Sequence, residues 1–250
     1  MLAQNPDASE VLDLCAGIHT HTKGQLPTAG SRTLGLFTSI RLILLTLRHN
    51  LTQELLAELF EISQSTVSRI INAYTPLIAE VLHARVSTVE DLDPTQQLII
   101  DGTLLPCWSW RQHPELYSGK HHTTGVNLQV ACTLTGRLAW VSQPFPGSTH
   151  DLTALKDSRI LDVIHQATHI GDKGYIGAGM ITPIKKPAGH ELHDTEKEFN
   201  KKINTIRYLI ERSIAQLKTW RILHTDYRRP YATFATTINA VLGIIFTYTP

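Results

Sequence analysis

The chain has 250 residues, 42% of them hydrophobic and 18% charged, and a formal net charge of +1 at pH 7. This composition is typical of globular proteins, and no apolar run reaches the ~18 residues of a membrane span, nor is a secretory signal visible. Three widely spaced cysteines, Cys15, Cys107 and Cys132, argue against a disulfide framework and favour a reducing, cytoplasmic setting.

The first ninety residues predict a small helical domain after a loosely structured start. Residues 1–34 are rich in Gly, Thr and Pro, apart from one short helix predicted at 8–16. Thr52 and Ser63 are residue types that cap helices. Helical periodicity predicts three further helices and places the domain at 35–90, with Pro76 expected to kink or split the last helix; they lie at 36–48, 52–60 and 64–82.

Only Glu-Ile-Ser (61–63) separates the second and third of these helices. A short helix, a tight turn and a second helix that opens with small polar residues are the pattern of a DNA-binding helix-turn-helix. A plain three-helix bundle has the same pattern and stays open as an alternative. The side chains expected to reach base edges or phosphates are Gln64, Ser65, Thr66, Ser68 and Arg69.

From residue 97 the pattern changes to strands interleaved with helices, which predicts an α/β domain at 95–250. Helices are expected at 148–167, 197–223 and 232–248, and the second of these has a clear apolar stripe. Residues 180–230 carry eleven basic and six acidic side chains. This basic region either contacts phosphates or forms a solvated helix face.

Three acids have related contexts. Asp101 follows Leu-Ile-Ile, Asp172 follows His-Ile-Gly, and Glu211 lies at the edge of the apolar stripe of the long helix. Acids at two strand ends and on one helix can converge at a sheet edge, where oxygen ligands select Mg²⁺ or Mn²⁺ for phosphodiester chemistry. The alternatives are that Asp101-Gly102 is a turn and that Glu211 pairs with Arg207 on its own helix.

Four motifs resemble those of DDE transposases of bacterial insertion sequences. Asn204 stands where the "Y-R-E-K" helix signature of that group has Tyr. The helix-turn-helix precedes these motifs as it does in the group, and the resemblance covers roughly residues 36–245. The motifs are IIDGT (99–103), PGSTHD (146–151, typical of the IS-five and PIF/Harbinger branches), GDKGY (171–175) and Arg207-xxx-Glu211-xxxxxx-Lys218.

The resemblance implies an RNase H-like endonuclease domain that cuts and joins double-stranded DNA at element ends with two Mg²⁺ or Mn²⁺ ions. It implies a homodimer or larger assembly, and a cytoplasmic, nucleoid-associated location. Asp101, Asp172 and Glu211 become the catalytic and metal-binding triad, with Asp151 as an accessory or alternative. Phosphate contacts are expected from Lys173, Lys185, Lys186, Lys218 and Arg221.

Three other functions are considered. The first is a domesticated relative that binds DNA without cutting it, which the presence of all three acids disfavours. The second is a stand-alone metal-dependent nuclease or phosphatase on the same fold, which the helix-turn-helix disfavours only mildly. The third is a transcription regulator whose α/β part binds a small ligand, and no phosphate-cradling Gly-rich loop supports it.

Overall fold

The structure is a computed structural model that describes residues 6–28, 33–165 and 168–249. The helices are α1 (Ala8–His21), α2 (Gly35–His49), α3 (Gln53–Leu59), α4 (Gln64–Val81), α5 (Asp151–Asp157), α6 (Asp194–Lys218) and α7 (Phe234–Tyr248). The strands are β1 (Leu98–Pro106), β2 (Tyr117–Ser118), β3 (Thr123–Thr133), β4 (Leu138–Val141) and β5 (Phe145–Pro146).

The chain divides into two compact units, a helical unit (Met1–Val86 with Leu217–Pro250) and an α/β unit (Ser87–Gln216). The segment 217–250 therefore packs with the N-terminal helices, whereas the sequence-based boundaries put it in the α/β domain. The physical reason is α7, which packs along α4. At Gly243 the two chain segments approach so closely that an added Cβ would lie 2.6 Å from the Cβ of Leu82.

The helix-turn-helix is formed by α3 and α4, close to the predicted bounds. Thr52 and Ser63 cap the two helices as predicted, because their hydroxyls accept the N–H groups of Leu55 and Thr66 at 3.4 and 3.2 Å. The intervening turn places Glu61 at φ 53°. Helix α4 runs unbroken from Gln64 to Val81, so Pro76 does not split it, and the alternative of a kink at Pro76 stays a prediction.

The N-terminal segment is more ordered than predicted. Helix α1 ends at His21 rather than near residue 16, and a capping box between Asp7 and Glu10 fixes its start. Leu14 and Ile18 on this helix are buried in the helical unit. The helical periodicity of these residues was hidden by the polar Thr and His residues around them.

Helix α7 belongs to the core of the helical unit. Residues Tyr231–Tyr248 are long and apolar enough to cross a membrane by length and composition, so the prediction that no run reaches this length is wrong for this segment. Half of this segment is buried inside the protein, as in a core helix. Elsewhere in the unit, the Arg48 guanidinium stacks 5.3 Å above the Trp220 ring.

The α/β unit is built around β3, and it has the predicted RNase H-like arrangement. Strand β1 pairs antiparallel with β3 from Leu98↔Thr133 to Pro106↔Gly125, and β4 and β5 pair antiparallel with β3 as well. Two parallel bridges, Ile99↔Ile170 and Ile170↔Ile181, extend the sheet beyond β1. The sheet thus contains the antiparallel strands β4, β3 and β1, and the segments at Ile170 and Ile181 then lie parallel to β1. The chain crosses from the antiparallel strands to Ile170 through α5.

Two helices of this unit differ in length from the predictions. In the described part of the segment predicted as a helix at 148–167, the α-helix covers Asp151–Asp157, because Arg159 adopts φ 61° and a 3-10 turn follows at Ile160–Asp162; residues 166–167 lie outside the described residues. Helix α6 begins at Asp194 and ends at Lys218, short of the predicted residue 223. It is fixed to the β3–β4 turn, since the Ser213 hydroxyl donates to the Gly136 carbonyl at 2.9 Å.

Candidate active site

Asp101 in β1 and Asp172, two residues after a parallel bridge to β1, lie beside each other. Ile99 bridges to Ile170 in parallel, so the residues two positions further along each chain are also neighbours. Asp101 lies inside β1 rather than in a turn, which removes the alternative considered for Asp101-Gly102. A backbone N–H holds each carboxylate, from Gly102 to Asp101 Oδ1 at 2.8 Å and from Gly174 to Asp172 Oδ1 at 2.6 Å.

Asp151 joins this pair from the first turn of α5. A Cβ added to Gly102 would lie 2.7 Å from Asp151 Oδ1, and one added to Gly174 would lie 3.7 Å from its Oδ2. Gly102 therefore leaves the space that the Asp151 carboxylate needs, whereas the 3.7 Å distance at Gly174 is an ordinary van der Waals contact. The imidazole of His150 caps the helix, with Nδ1 accepting the Leu152 N–H at 3.2 Å.

The carboxylates have different electrostatic surroundings. Burial raises the pKa of Asp101, and the neighbouring Asp172 adds to the rise, although the guanidinium of Arg207 at 3.1 Å opposes it. Burial would also raise the pKa of Asp151. However, hydrogen bonds from Lys120 at 2.6 Å and Asn127 at 2.9 Å outweigh burial and hold that pKa below its usual value.

A chain of hydrogen bonds between buried polar side chains holds Asp151 in place. The Tyr175 hydroxyl donates to Gln129 Oε1 at 2.6 Å, Gln129 Nε2 donates to Asn127 Oδ1 at 3.2 Å, and Asn127 Nδ2 donates to Asp151 Oδ1. Tyr175 and Gln129 have no exposed surface. Burial raises the pKa of Tyr175 well above its usual value, and the charges of the three aspartates add to this effect. Tyr175 is therefore a fixed hydrogen-bond donor.

Glu211, the third predicted ligand, has different surroundings from the aspartates. It lies exposed on α6, one turn beyond Arg207. Arg207 itself pairs with Asp101 rather than serving as the local partner considered for Glu211. Within residues 6–28, 33–165 and 168–249, no group of three or more His, Cys, Asp or Glu side chains is close enough to share a metal ion. The role of Glu211 stays a prediction.

The cluster nevertheless has the donor chemistry of a divalent-cation site. Carboxylate oxygens are the ligands that Mg²⁺ and Mn²⁺ prefer. The raised pKa of Asp101 reflects burial and the charge of Asp172, both of which a bound cation would offset. Lys120 and Arg207 already bring positive charge to Asp151 and Asp101. The aspartates therefore fit a divalent cation.

The predicted phosphate contacts are in varied surroundings. Lys173 and Lys185 are exposed and line a cavity together with Asp151 and Asp172. Lys186 forms an ion pair with Glu191. Lys218 is half-buried, and burial lowers its pKa, while Arg221 is exposed in a 3-10 turn of the helical unit.

The predicted DNA-reading residues lie in the first turns of α4. Gln64, Ser65 and Arg69 are exposed, and Thr66 and Ser68 are partly exposed. Arg69 Nε donates to the Ser65 carbonyl at 3.2 Å, and Gln64 donates to Gln53 on α3. These side chains form a polar surface at the start of the second helix of the motif.

Sequence reasoning missed the supporting residues of the site. Asn127 and Gln129 occupy alternate positions in the otherwise apolar middle of β3 (125–132), which places both side chains on one face of the sheet. Two polar residues at this spacing in a buried strand were the available signal. Lys120 gave no comparable signal, because only the fold brings its loop to Asp151.

The amino-acid sequence matches two known family models. The family model described as "DDE superfamily endonuclease" matches residues 100–246, and the one described as "Helix-turn-helix of DDE superfamily endonuclease" matches residues 34–84. The first match covers more than half of the chain. The protein therefore belongs to the DDE superfamily endonucleases, as the motifs of the sequence implied.

Two curated proteins are similar to this chain in sequence. The chain is 34% identical over 178 residues to a protein of Streptomyces albus G whose name describes it as a putative transposase for insertion sequence element IS112. It is 35% identical over 153 residues to a protein of Microchaete diplosiphon named as a probable transposase for insertion sequence element IS702. The matches cover 70% and 54% of this chain, and 66% and 50% of the relatives. No solved structure matches the chain.

Proposed function

We propose that this protein is a transposase that cuts DNA at the terminal inverted repeats of an insertion sequence and joins the freed ends to target DNA. The observation that carries the proposal is the convergence of Asp101, Asp151 and Asp172 in an RNase H-like unit of a chain that also has a helix-turn-helix. The names of the two relatives support the same activity.

In this proposal the chain's own residues orient the DNA. The exposed first turns of α4 read the terminal repeat, and Lys173 and Lys185 bind phosphates next to the aspartates. Lys218 and Arg221 contribute weaker phosphate contacts. Lys186 contributes least, because its charge is already paired with Glu191.

Asp101 and Asp172 would hold Mg²⁺ or Mn²⁺, with Glu211 or Asp151 as the third ligand. Such ions, when bound, supply Lewis-acid stabilisation and an activated hydroxyl for phosphodiester chemistry. Hydrogen bonds from Gly102 and Gly174 orient the two aspartates before any ion arrives. Joining two element ends also requires a homodimer or larger assembly, and we place the protein in the cytoplasm at the nucleoid.

The test is an end-cleavage assay on a labelled duplex that carries the terminal repeats of the protein's own element, with Mg²⁺ or Mn²⁺. Wild type is compared with Asp101→Ala, Asp151→Ala, Asp172→Ala and Glu211→Ala. We expect metal-dependent cuts at the repeat ends, and we expect Asp101→Ala and Asp172→Ala to abolish them.

The Asp151 and Glu211 variants decide the third ligand. If Glu211→Ala abolishes cutting and Asp151→Ala only weakens it, Glu211 is the ligand and Asp151 is accessory. The opposite result assigns the role to Asp151. A wild-type protein that binds the repeats without cutting them under either metal would contradict the proposal and favour a DNA-binding relative without cleavage.

A further inference from the structure

Residues 225–230, here called the arginine segment, lie against the helix-turn-helix although they are far from it in the sequence. Arg228 Nη2 donates at 2.9 Å to the carbonyl of Asn50, which lies between α2 and α3 and 178 residues earlier in the chain. Arg229 Nη2 donates to the side chain of Asn72 on α4. The arginine segment therefore reaches from the α2–α3 connection to the second helix of the motif.

The arginine segment is anchored by a buried tyrosine. Tyr227 has no exposed surface, and its ring stacks on that of Phe234 with 4.2 Å between the ring centroids. Its hydroxyl is also hydrogen-bonded to the hydroxyls of two threonines. Pro230, whose ring fixes φ, follows the two arginines directly. The backbone that carries both arginines is therefore positioned before any ligand binds, which lowers the entropic cost of binding.

The exposed side of α4 continues into the arginine segment. Ser65, Arg69 and Asn72 are exposed and lie along one side of α4, because residues three and four positions apart are neighbours on a helix. Arg229 contacts Asn72 and extends this polar side beyond the helix. In a helix-turn-helix the second helix lies in the major groove of DNA and the first crosses the backbone. Groups beside these helices therefore come close to phosphates.

Both arginines have charge and donors to spare for a phosphate. A guanidinium has five N–H donors, and the bonds to Asn50 and Asn72 use one Nη2 group each. Both acceptors are neutral. Within residues 6–28, 33–165 and 168–249, neither arginine belongs to an ion pair, not even with Asp226, the acid of the same segment. Their positive charges are therefore not neutralised by a direct partner there.

We propose that the arginine segment is a second DNA-binding element, which binds phosphates of the terminal repeat beside the groove that α4 enters. Arg228 and Arg229 donate charge-assisted hydrogen bonds to these phosphates, and Arg229 also orients Asn72. The segment lies outside residues 34–84, which the helix-turn-helix family model matches. This inference rests on the proposed function, because that proposal supplies the terminal repeat as the ligand.

The experiment measures binding of the full chain to a labelled duplex that carries the terminal repeats of its own element. Binding is measured at several salt concentrations and without divalent metal, so that no strand is cut. Wild type is compared with Arg228→Gln and Arg229→Gln, which replace a charged guanidinium by a neutral hydrogen-bond donor.

The matched control is Arg85→Gln, which removes the charge of an exposed arginine of the same helical unit. Arg85 ends the 3-10 turn that follows Leu82, and Leu82 packs on Gly243 in the second half of α7. The arginine segment instead precedes the beginning of α7. The control therefore changes the net charge of the unit equally, but away from the proposed contact.

We expect Arg228→Gln and Arg229→Gln each to weaken binding several-fold. Each should also reduce the slope of log Kd against log salt concentration by about one, the value for one lost phosphate contact. The melting temperature of the free protein should stay unchanged, and Arg85→Gln should change neither quantity. A neutral methylphosphonate at the contacted phosphate should weaken binding of wild type but weaken the variant no further, because that contact is already lost.

The contrary outcomes are distinguishable. If both variants keep the wild-type affinity and salt slope, the arginine segment does not bind DNA, and the proposed function stands on its own cleavage assay. If affinity falls together with the melting temperature and the slope is unchanged, the arginines only support the fold and the inference is wrong. If wild type does not bind the repeats at all, the proposed function and this inference fall together.

Discussion

The hydroxyl of Tyr175 donates a 2.6 Å hydrogen bond to Gln129 Oε1, and this bond is the buried end of a chain that reaches Asp151 through Asn127. Tyr175 belongs to the same GDKGY motif as Asp172. The GDKGY motif therefore supplies Asp172 and also supports Asp151, through the hydrogen-bonded side chains of Gln129 and Asn127 in β3.

The first prediction concerns this chain. Tyr175→Phe keeps the packing of the ring but removes the donor, and we expect cleavage to slow by about three- to tenfold, the usual value of one hydrogen bond. In an Asp151→Asn background, Tyr175→Phe should slow cleavage little further, because Tyr175 acts through Asp151 and that residue is already altered. Equal effects in both backgrounds would show that Tyr175 acts by another route.

The second prediction concerns Arg207, whose guanidinium faces Asp101. Arg207→Met leaves a largely buried carboxylate without its partner, so the free energy of unfolding should fall by about 1–3 kcal/mol without metal. Added Mg²⁺ should raise the melting temperature of this variant more than that of wild type, since the cation replaces the lost charge. The exposed Arg212→Met is the control. Equal Mg²⁺ effects in the three proteins would contradict a cation site at Asp101.

The third prediction concerns Gly102. In Gly102→Ala the new Cβ would lie 2.7 Å from Asp151 Oδ1 and 3.3 Å from Gln129 Nε2, so the carboxylate must move. A displacement of this kind costs about a hundredfold in rate at a precisely built site. Cleavage assays, with circular dichroism as a check on folding, test the change. An unchanged rate would mean that the position of Asp151 does not matter for cutting.

The fourth prediction is a pH dependence of stability. His169 is fully buried, and its Nδ1 accepts the Leu98 N–H at 3.0 Å. Burial lowers the pKa of His169, with a smaller effect from His165, so the folded state binds this proton less readily than the unfolded chain.

The free energy of unfolding should therefore fall as the pH drops below about 6.5, the pKa of a histidine in the unfolded chain. The contribution of His169 to this fall is at most about 1.4 kcal/mol per pH unit, and above about pH 6.5 His169 should contribute no pH dependence. Urea unfolding between pH 5 and 8 measures this slope. His169→Asn keeps an acceptor for Leu98 but cannot be protonated. If its slope equals that of wild type, another group is responsible.

The fifth prediction concerns Arg69 in the helix-turn-helix. Arg69→Ala should weaken binding to the terminal repeats by about 1–3 kcal/mol if the side chain contacts a base, and should then reduce the preference over random DNA. If Arg69 contacts only a phosphate, binding to both DNAs falls alike and the salt dependence decreases. The exposed Arg159→Ala, in the α/β unit, is the control. Unchanged binding would exclude Arg69 from the interface.

Local signals were sufficient to predict the helix-turn-helix, since cap residues and periodicity act over a few residues. They also identified Asp101 and Asp172, whose side-by-side position then follows from a single parallel bridge. The PGSTHD motif predicts Asp151 as an accessory or alternative residue of the site, but its contact with Gly102 could not be predicted, because it depends on how closely α5 approaches β1. The position of Glu211 likewise depends on the rotation of α6 against the sheet, which periodicity alone does not fix.

The packing of α7 against α4 has a consequence for protein synthesis. The ribosome completes α4 more than a hundred and fifty residues before α7, which corresponds to a delay on the order of ten seconds. By the end of that interval the α/β unit, which ends at Gln216, has been synthesised, while the helical unit still lacks part of its core. We expect a newborn chain to fold the α/β unit first and to complete the core of the helical unit only after α7 has been synthesised.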